Sequence, residues 1–574
     1  MRPLPIAFAV LLLALVVGLG LRAVLQAPTG GVPKRESIGG APLPRELGGL
    51  PQGHVYTGCS EQPDDVNPFT ANSNAARRMV LAYTHEALLD LDPRTGGLRP
   101  AVAEAYEPAA DGRSCVFTLR SGVCFSDGAP VTMDDVLFGY ELHQAGKLSL
   151  GFVGSAFARV ERVEVLDERR FRVHFQGLHY ASVRIVGEVW VVAQKRFFVE
   201  AVRRQLDPGE AMPEVASERF AQLLGRVDRE CGPGTGPYVL HNPPDGSGTW
   251  RVRQDVLLTR SEHCWRRTEA PGCWNFAGIR ALWREDPAAA TNALLLRELD
   301  WLSVSDPEAL LAQHPQLAAD YRALHVDHPS LGVYRCIWNC ELPPFDDVRV
   351  RRAVGMLFDR EHAAKVLGPG AKPAVAHAKP GSPEYPDLLP LAFDVAAARR
   401  LLREAGYDPA AGKPLRMVLL ALQGTEPPRR MVESFAAAAK SAGIELDLRA
   451  RSDMLGFVAE KKLRQWHGAL VYQSFRTWGD PYDLLASDGS DNESGWKNEV
   501  ADGLARAARL ELDGAKRAQL WRELHTLVHE QQPMALLAHP VASILLAKRV
   551  RGVEPGPCGL IPDRGWVAAE QQRQ

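Results

Sequence analysis

A strand–helix–strand run in the last third of the chain constrains the fold most. The segment "LRMVLLALQG", Leu415 to Gly424, is almost continuously apolar, which is typical of a buried strand. Pro428 to Gly443 carries apolar residues at helical spacing and ends in glycine, and the next segment, "IELDLRA", alternates as a strand does. Two strands joined by one helix form a right-handed parallel crossover. The sequence therefore predicts an α/β sheet here.

Two neighbouring segments extend this prediction. Asp394 is the expected N-cap of a helix that ends before Gly406. The run "GALVYQSF" predicts a further strand of the sheet, and "RTWGDPYD" follows directly after it. In α/β sheets, ligands sit beyond the carboxyl ends of the strands. The segment after this strand is therefore a candidate ligand site.

Earlier in the chain, alternating patterns predict antiparallel strands. "VERVEVLDE" and "RRFRVHFQG" read as the two arms of a hairpin, the second running from Arg169 to Gly177. "SCVFTLRSGVCFSDG" reads as strand, turn and strand, ending in the turn at Asp127 and Gly128.

Size and charge narrow the classes of function. The 574 residues suffice for two to four domains, and 46% hydrophobic with 24% charged residues is an ordinary globular balance. A net charge of -2 without a basic stripe argues against a nucleic-acid partner.

The N-terminus predicts export. After Arg2, an uncharged apolar stretch covers residues 4–21. We assign residues 1–27 to a signal peptide or a membrane anchor and favour the anchor, because no good cleavage site follows the stretch. Residues 28–53 are rich in Pro and Gly and predict a flexible linker. The body of the chain is thus expected outside the cytoplasm.

The chain has nine cysteines, an odd number that leaves at least one thiol unpaired. Cys264 and Cys273 flank a short loop and are the first disulfide candidate.

His525 and His529 lie one helical turn apart, but the pattern of a zinc protease is missing, so a surface or half-buried pair is favoured over a metal site. We predict no metal and no cofactor.

No motif supports catalysis. The glycine-rich "CGPGTGPYVL" runs into a strand and lacks the residues of a phosphate-binding loop, so a structural turn is favoured. No nucleophile elbow occurs. Asp480 and Asp483 could be paired acids, but an Asp-Pro step more simply initiates a turn. We predict that the chain is not an enzyme, and a hydrolase that uses Asp480 or Cys59 is the weakest alternative.

Several stretches together resemble family 5 of the extracellular solute-binding proteins, the receptors of oligopeptide, dipeptide and nickel ABC importers. The most specific stretch is "FTLRSGVCFSDGAPVTMDDV", within Tyr83 to Leu142. The others, in the order of the family, are "CSEQPDDVNPFTANS", "GTGPYVL", "RELDWLSV", "PPFDDVRVRRAVGMLFDRE", "WGDPYDLL" and "VHEQQPMALLAHP".

The resemblance implies a fold class and a domain arrangement. The fold would be α/β, two-lobed and periplasmic-binding-protein-like (type II), with an extra small α+β domain. The domains would be lobe I with residues 54–88, 176–330 and 541–574, the small domain with 89–175, and lobe II with 331–540. The ligand would be enclosed between the two hinged lobes.

The resemblance also implies ligand contacts. In peptide-binding members, the segment corresponding to Ser60, Glu61 and Gln62 pairs with an extended peptide. Arg476, Thr477, Trp478 and Asp480 are the candidates in the other lobe, with Trp478 as a platform for the ligand. The position of Thr477 carries, in peptide binders, the acid that holds the α-ammonium group of the peptide. Thr477 supplies a hydroxyl and no charge.

The resulting hypothesis is a periplasmic or extracytoplasmic receptor, which residues 4–21 would anchor to the cytoplasmic membrane if they are retained. It would bind a peptide or another small polar solute as a monomer and deliver it to an ABC permease complex. The alternative is a membrane-tethered sensor or scaffold of the same fold without transport.

Overall fold

The structure is a computed structural model, and it describes residues 53–71, 73, 76–144, 157–227, 229–241, 250–284, 286–326, 332–422, 426–475, 479–556 and 559–572. The chain divides into two compact units. We call the described residues between 53 and 326, with those from 544 to 572, the first unit, and those between 332 and 543 the second unit. The strand Ala542–Ala547 crosses this boundary and is given with the first unit, where it pairs with Trp301–Ser303. The helices within the described part are too short or too polar to cross a membrane. The predicted export segment lies outside the described residues.

The first unit is mixed α and β. Its strands are Val55–Ser60, Leu89–Leu91, Leu98–Pro100, Ala103–Pro108, Ser114–Leu119, Val160–Val165, Arg170–Phe175, Tyr238–Val239, Trp250–Arg251, Asp255–Arg260, Gly278–Trp283, Trp301–Ser303, Tyr321–Val326, Ala542–Ala547, Val550–Arg551, Glu554–Gly556, Gly559–Ile561 and Trp566–Val567. Its helices are Ala82–Thr84, Met133–Gln144, Ser182–Val189, Lys195–Arg203, Glu218–Leu224, Trp265–Glu269, Pro287–Leu295, Pro307–Gln313 and Leu317–Asp320, with a π-helical turn at Ala76–Leu81 and a 3₁₀ turn at Ala569–Gln571.

Its main sheet has eight strands, and Val55–Ser60 lies in the middle of it. This strand runs parallel to Gly278–Trp283, with Ser60 opposite Trp283. On the other side, Gly58 pairs with Trp301. A side chain at position 58 would meet the Trp301 ring at 1.9 Å, so only glycine allows this approach.

A separate four-stranded antiparallel sheet contains the predicted hairpin. Val160–Val165 and Arg170–Phe175 pair as expected, and Ser114–Leu119 joins the second of them. The expected strand after Ser114–Leu119 is wrong: only an isolated bridge joins Cys124 to Pro130. The reason is that Ser114–Leu119 is already paired on both edges, with Ala103–Pro108 on the second. The division into lobe I and a small domain stays a prediction.

The second unit is a sheet covered by helices. Its strands are Val333–Trp338, Lys372–Pro373, Arg416–Leu422, Glu445–Arg451, Gly468–Gln473 and Met534–His539. Its helices are Val348–Gly355, Arg360–Leu367, Val395–Glu404, Glu426–Ala442, Met454–Lys462, Tyr482–Leu485, Glu499–Leu510 and Gly514–Gln531, with a 3₁₀ turn at Pro409–Ala411.

The predicted strand–helix–strand run is confirmed. Arg416–Leu422 and Glu445–Arg451 are parallel neighbours, joined by the helix Glu426–Ala442. Gly468–Gln473 pairs parallel to Arg416–Leu422 on one side and antiparallel to Val333–Trp338 on the other. The sheet thus brings the end of Gly468–Gln473, where the candidate ligand segment begins, beside the first residues of Val333–Trp338.

The capped helix of this unit is also confirmed. The Asp394 carboxylate accepts a hydrogen bond from the Ala397 backbone N–H at 2.8 Å, at the start of Val395–Glu404. Gly406 follows the helix with φ of 94°, a backbone conformation that favours glycine.

Candidate functional site

The candidate segment of the second unit is described only at its two ends. Arg476, Thr477 and Trp478 lie outside the described residues, and their ligand contacts stay predictions. Phe475 before them and Gly479 after them are described. Gly479 has φ of 67°, in the left-handed region, so the chain turns directly after the three candidates.

Asp480 is held firmly within its own unit. Its side chain is 1% exposed, and its Oδ2 accepts a hydrogen bond from Arg509 Nε at 2.7 Å. Its Oδ1 accepts from the Tyr482 backbone N–H at 2.9 Å. Arg509 also donates to Asp483 at 3.2 Å and stacks over the Tyr482 ring at 3.8 Å. Asp480 therefore anchors the turn to the helix Glu499–Leu510, and a direct ligand contact by Asp480 stays a prediction.

Phe475 links the segment to two buried histidines. Its ring lies 4.9 Å from that of His377, edge to face, and 5.8 Å from that of His539. His539 Nδ1 donates to the Gly332 carbonyl at 3.2 Å, which leaves the lone pair of the neutral imidazole on Nε2. Neither His377 Nδ1 nor His539 Nε2 has a hydrogen-bond partner within the described residues.

His525 lies close enough to His377 to lower its pKa, although the main cause of that shift is burial. Burial also lowers the pKa values of His525 and His539 to about 4, so these side chains are neutral at pH 7. Among the described residues, no three side chains converge in a way that could hold a metal ion. The helix Gly514–Gln531 contains both His525 and His529, and the first is fully buried while the second is half-buried. Sequence reasoning missed this group of histidines because its members are far apart in the chain.

The first-unit candidates follow the central strand of its sheet. Ser60 is the last residue of Val55–Ser60 and is buried, while Glu61 and Gln62 are half-buried. Gln62 Oε1 accepts from the Arg253 backbone N–H at 2.7 Å. Glu61 and Gln62 also line a cavity of about 10 Å³, which is room for about one water molecule. This cavity is too small for a solute, and backbone pairing of residues 60–62 with a peptide stays a prediction.

The cysteines of the first unit are buried thiols. Cys59 is 1% exposed, and burial raises its pKa to about 12, which argues against a nucleophile. The expected disulfide is not formed: Cys264 and Cys273 are both free. The physical reason is their different surroundings, because the Cys264 thiol lies near Glu86 whereas the Cys273 thiol lies beside Asp563 and Arg564.

Comparison with known proteins identifies the family over most of the chain. The family model described as "Bacterial extracellular solute-binding proteins, family 5 Middle" matches residues 97–496. The chain is 26% identical over 536 residues to "Di/tripeptide-binding protein 2" of Pseudomonas aeruginosa, which covers 87% of this chain and 92% of that protein. It is also 26% identical over 501 residues to "Probable deoxycholate-binding periplasmic protein YgiS" of Escherichia coli, which covers 85% and 88%.

A solved structure shows the same fold. The oligopeptide-binding protein AppA of Bacillus subtilis, in complex with a nonapeptide, matches 90% of this chain and 99% of its own, with a TM-score of 0.70 at 18% identity. The predicted two-lobed fold class is confirmed by this likeness. Because the family model covers more than half of the sequence, the chain belongs to the bacterial extracellular solute-binding proteins, family 5.

Proposed function

We propose that the chain is the solute receptor of an ABC importer and that it delivers a peptide or another small polar solute to a membrane permease. The observation that carries this proposal is the family match over residues 97–496. The names of the relatives add support, since they include binding proteins for di- and tripeptides and for deoxycholate. A buried Cys59 thiol and an ion-paired Asp480 both speak against catalysis.

The location and the oligomeric state belong to the same proposal. The chain acts outside the cytoplasm as a monomer, and the uncharged apolar residues 4–21 hold it at the cytoplasmic membrane. An anchored receptor remains close to its permease, which raises the effective concentration of the two partners.

The test uses the full-length chain extracted in a non-ionic detergent. Small molecules that co-purify are released and identified by mass spectrometry, and peptides, sugars, carboxylic acids and nickel complexes are screened for an increase in melting temperature. A ligand that binds only the folded state raises the melting temperature with its concentration. If nothing co-purifies and no solute shifts the melting temperature, the receptor proposal is wrong. That result would favour the alternative of a sensor or scaffold without transport.

A further inference from the structure

Arg335 is a buried cation that has no counter-ion among the described residues. It lies in the strand Val333–Trp338, where every residue is buried, and its own exposure is 2%. Burial lowers its pKa to about 10, so it is still charged at neutral pH. Within the described residues it forms no ion pair, and the nearby Glu493 and Asp491 act on it only through space.

The hydrogen bonds of Arg335 are also incomplete. Its Nη2 donates to Gln473 Oε1 at 3.2 Å, and its Nη1 faces the thioether of Met534 at 3.3 Å, which is a weak acceptor. Its Nε has no partner among the described residues. A guanidinium group carries five N–H donors, and within the described residues Arg335 uses them in only these two hydrogen bonds.

Arg360 in the same unit shows how a structural arginine is satisfied. It is 5% exposed, and burial lowers its pKa to about 10 as well. Its guanidinium, however, donates to four backbone carbonyl oxygens at 2.7 to 3.1 Å, those of Leu536, Gly355, Phe358 and Leu391. Both arginines are buried, but of the two only Arg360 donates its hydrogen bonds to a set of backbone carbonyl groups. Arg335 is therefore not explained by packing alone.

Arg335 lies beside the histidines described above. Its Nη2 donates to Gln473, two residues before the Phe475 that packs on His377, and its charge contributes to the lowered pKa of His377. Both His377 Nδ1 and His539 Nε2 lack partners within the described part of the chain, and Phe475, which packs on both rings, leads directly into residues 476–478. A cation and unsatisfied imidazole nitrogens thus meet next to the candidate ligand segment.

We propose that Arg335, with His377, binds a carboxylate group of the transported solute. The planar guanidinium matches the two oxygens of a carboxylate, and one cation among neutral imidazoles matches a single negative charge better than a phosphate dianion. A neutral His377 can donate from Nδ1 to a carboxylate oxygen without adding charge. The lone pair on His539 Nε2 can only accept, so it would take a hydrogen bond from an N–H or O–H group elsewhere on the solute. The inference rests on the proposed receptor function and deepens it.

The test compares Arg335→Met with Arg360→Met in the full-length chain in non-ionic detergent. The probes are N-acetyl-alanyl-alanine and cholate, each beside its uncharged amide, so that a peptide carboxylate and a non-peptide acid are distinguished. We expect the wild type to bind at least one acid about tenfold or more tightly than its amide, and Arg335→Met to lose this preference. Arg360→Met is expected to keep it.

Melting temperatures without ligand separate binding from structure. Removing a buried cation that has no ion pair with a described residue should leave the melting temperature of Arg335→Met equal to or above that of the wild type. Arg360→Met should melt lower, because four carbonyl groups lose their donor. The inference is wrong if Arg335→Met melts as low as Arg360→Met, or if no acid is preferred over its amide. If other solutes bind equally to the wild type and to Arg335→Met, the proposed receptor function is supported and only the proposed carboxylate site is wrong. If nothing binds at all, both proposals fail.

Discussion

At the scale of single residues, the charge at position 477 separates two kinds of ligand. The resemblance places an acid there in receptors that hold the α-ammonium group of a peptide, and this chain has Thr477. A hydroxyl accepts a hydrogen bond but supplies no charge, and a charge-assisted contact contributes about 1.5–3 kcal/mol. The buried cation at Arg335 points in the same direction, toward a ligand whose recognised group is negative.

Replacing this hydroxyl by an acid should therefore restore amine recognition. We expect Thr477→Asp to tighten the binding of a free dipeptide by about 10- to 100-fold, as measured by isothermal titration calorimetry. Thr477→Asn is the matched control, because it adds a similar volume without charge. An equal gain with the N-acetylated dipeptide would contradict the explanation, since that ligand has no ammonium group.

The cysteines give a second test at this scale. Burial raises the pKa values of the Cys59 and Cys231 thiols to about 12, so neither forms a thiolate near neutral pH. We expect both to resist a disulfide reagent in the folded chain and to react after denaturation. Cys124, which is half-buried, serves as the comparison. Rapid labelling of Cys59 in the folded chain would revive the hydrolase alternative.

At the scale of elements, the local sequence pattern correctly predicted those helices and strands whose formation does not depend on pairing with distant strands. The strand–helix–strand run around Glu426–Ala442 was predictable because its apolar pattern and terminal glycine are local signals. The expected strand after Ser114–Leu119 failed because both edges of that strand are taken by residues distant in sequence. Which strands pair with the two edges of a given strand is decided by the whole sheet, so a short segment of sequence cannot predict it.

The candidate site also has one part that the sequence could predict and one part that it could not. The segment after Gly468–Gln473 was predictable, since it follows a strand and carries the resemblance. The group of Arg335, His377 and His539 was not, because only the folded sheet and its loops bring these residues together. The one signal in the sequence was a charged residue within the otherwise apolar "VYRCIW".

The turn after the candidate segment depends on one ion pair. We expect Asp480→Asn to lower the free energy of unfolding by about 2 kcal/mol, because Arg509 loses a buried, charge-assisted acceptor. The control is Glu433→Gln, which removes an exposed ion pair with Arg429 and should cause no measurable change in urea unfolding. Equal effects of the two substitutions would show that Asp480 does not anchor the turn.

At the scale of the whole molecule, buried histidines make stability depend on pH. The pKa values of His525 and His539 are about 4 in the folded chain, against about 6.5 in an unfolded one. Between these values the unfolded chain binds protons that the folded chain does not, so stability falls as the pH drops from about 6.5 to 4. Above pH 6.5 this loss is absent.

The size of the effect can be measured with one substitution. Between pH 7 and 4.5, His525→Gln should lose roughly 2 kcal/mol less free energy of unfolding than the wild type does. His263→Gln, at an exposed position, is the control and should follow the wild type. Parallel pH profiles for all three proteins would mean that His525 takes up its proton equally well in both states.

The central claim is that this chain binds a solute and releases it unchanged. The most direct measurement is isothermal titration calorimetry of the ligand-stripped, full-length protein with the solute recovered from it, followed by mass spectrometry of the solute. We predict saturable binding of one solute per chain and an intact solute afterwards. Chemical conversion of the solute, or the absence of any binding, would contradict the account.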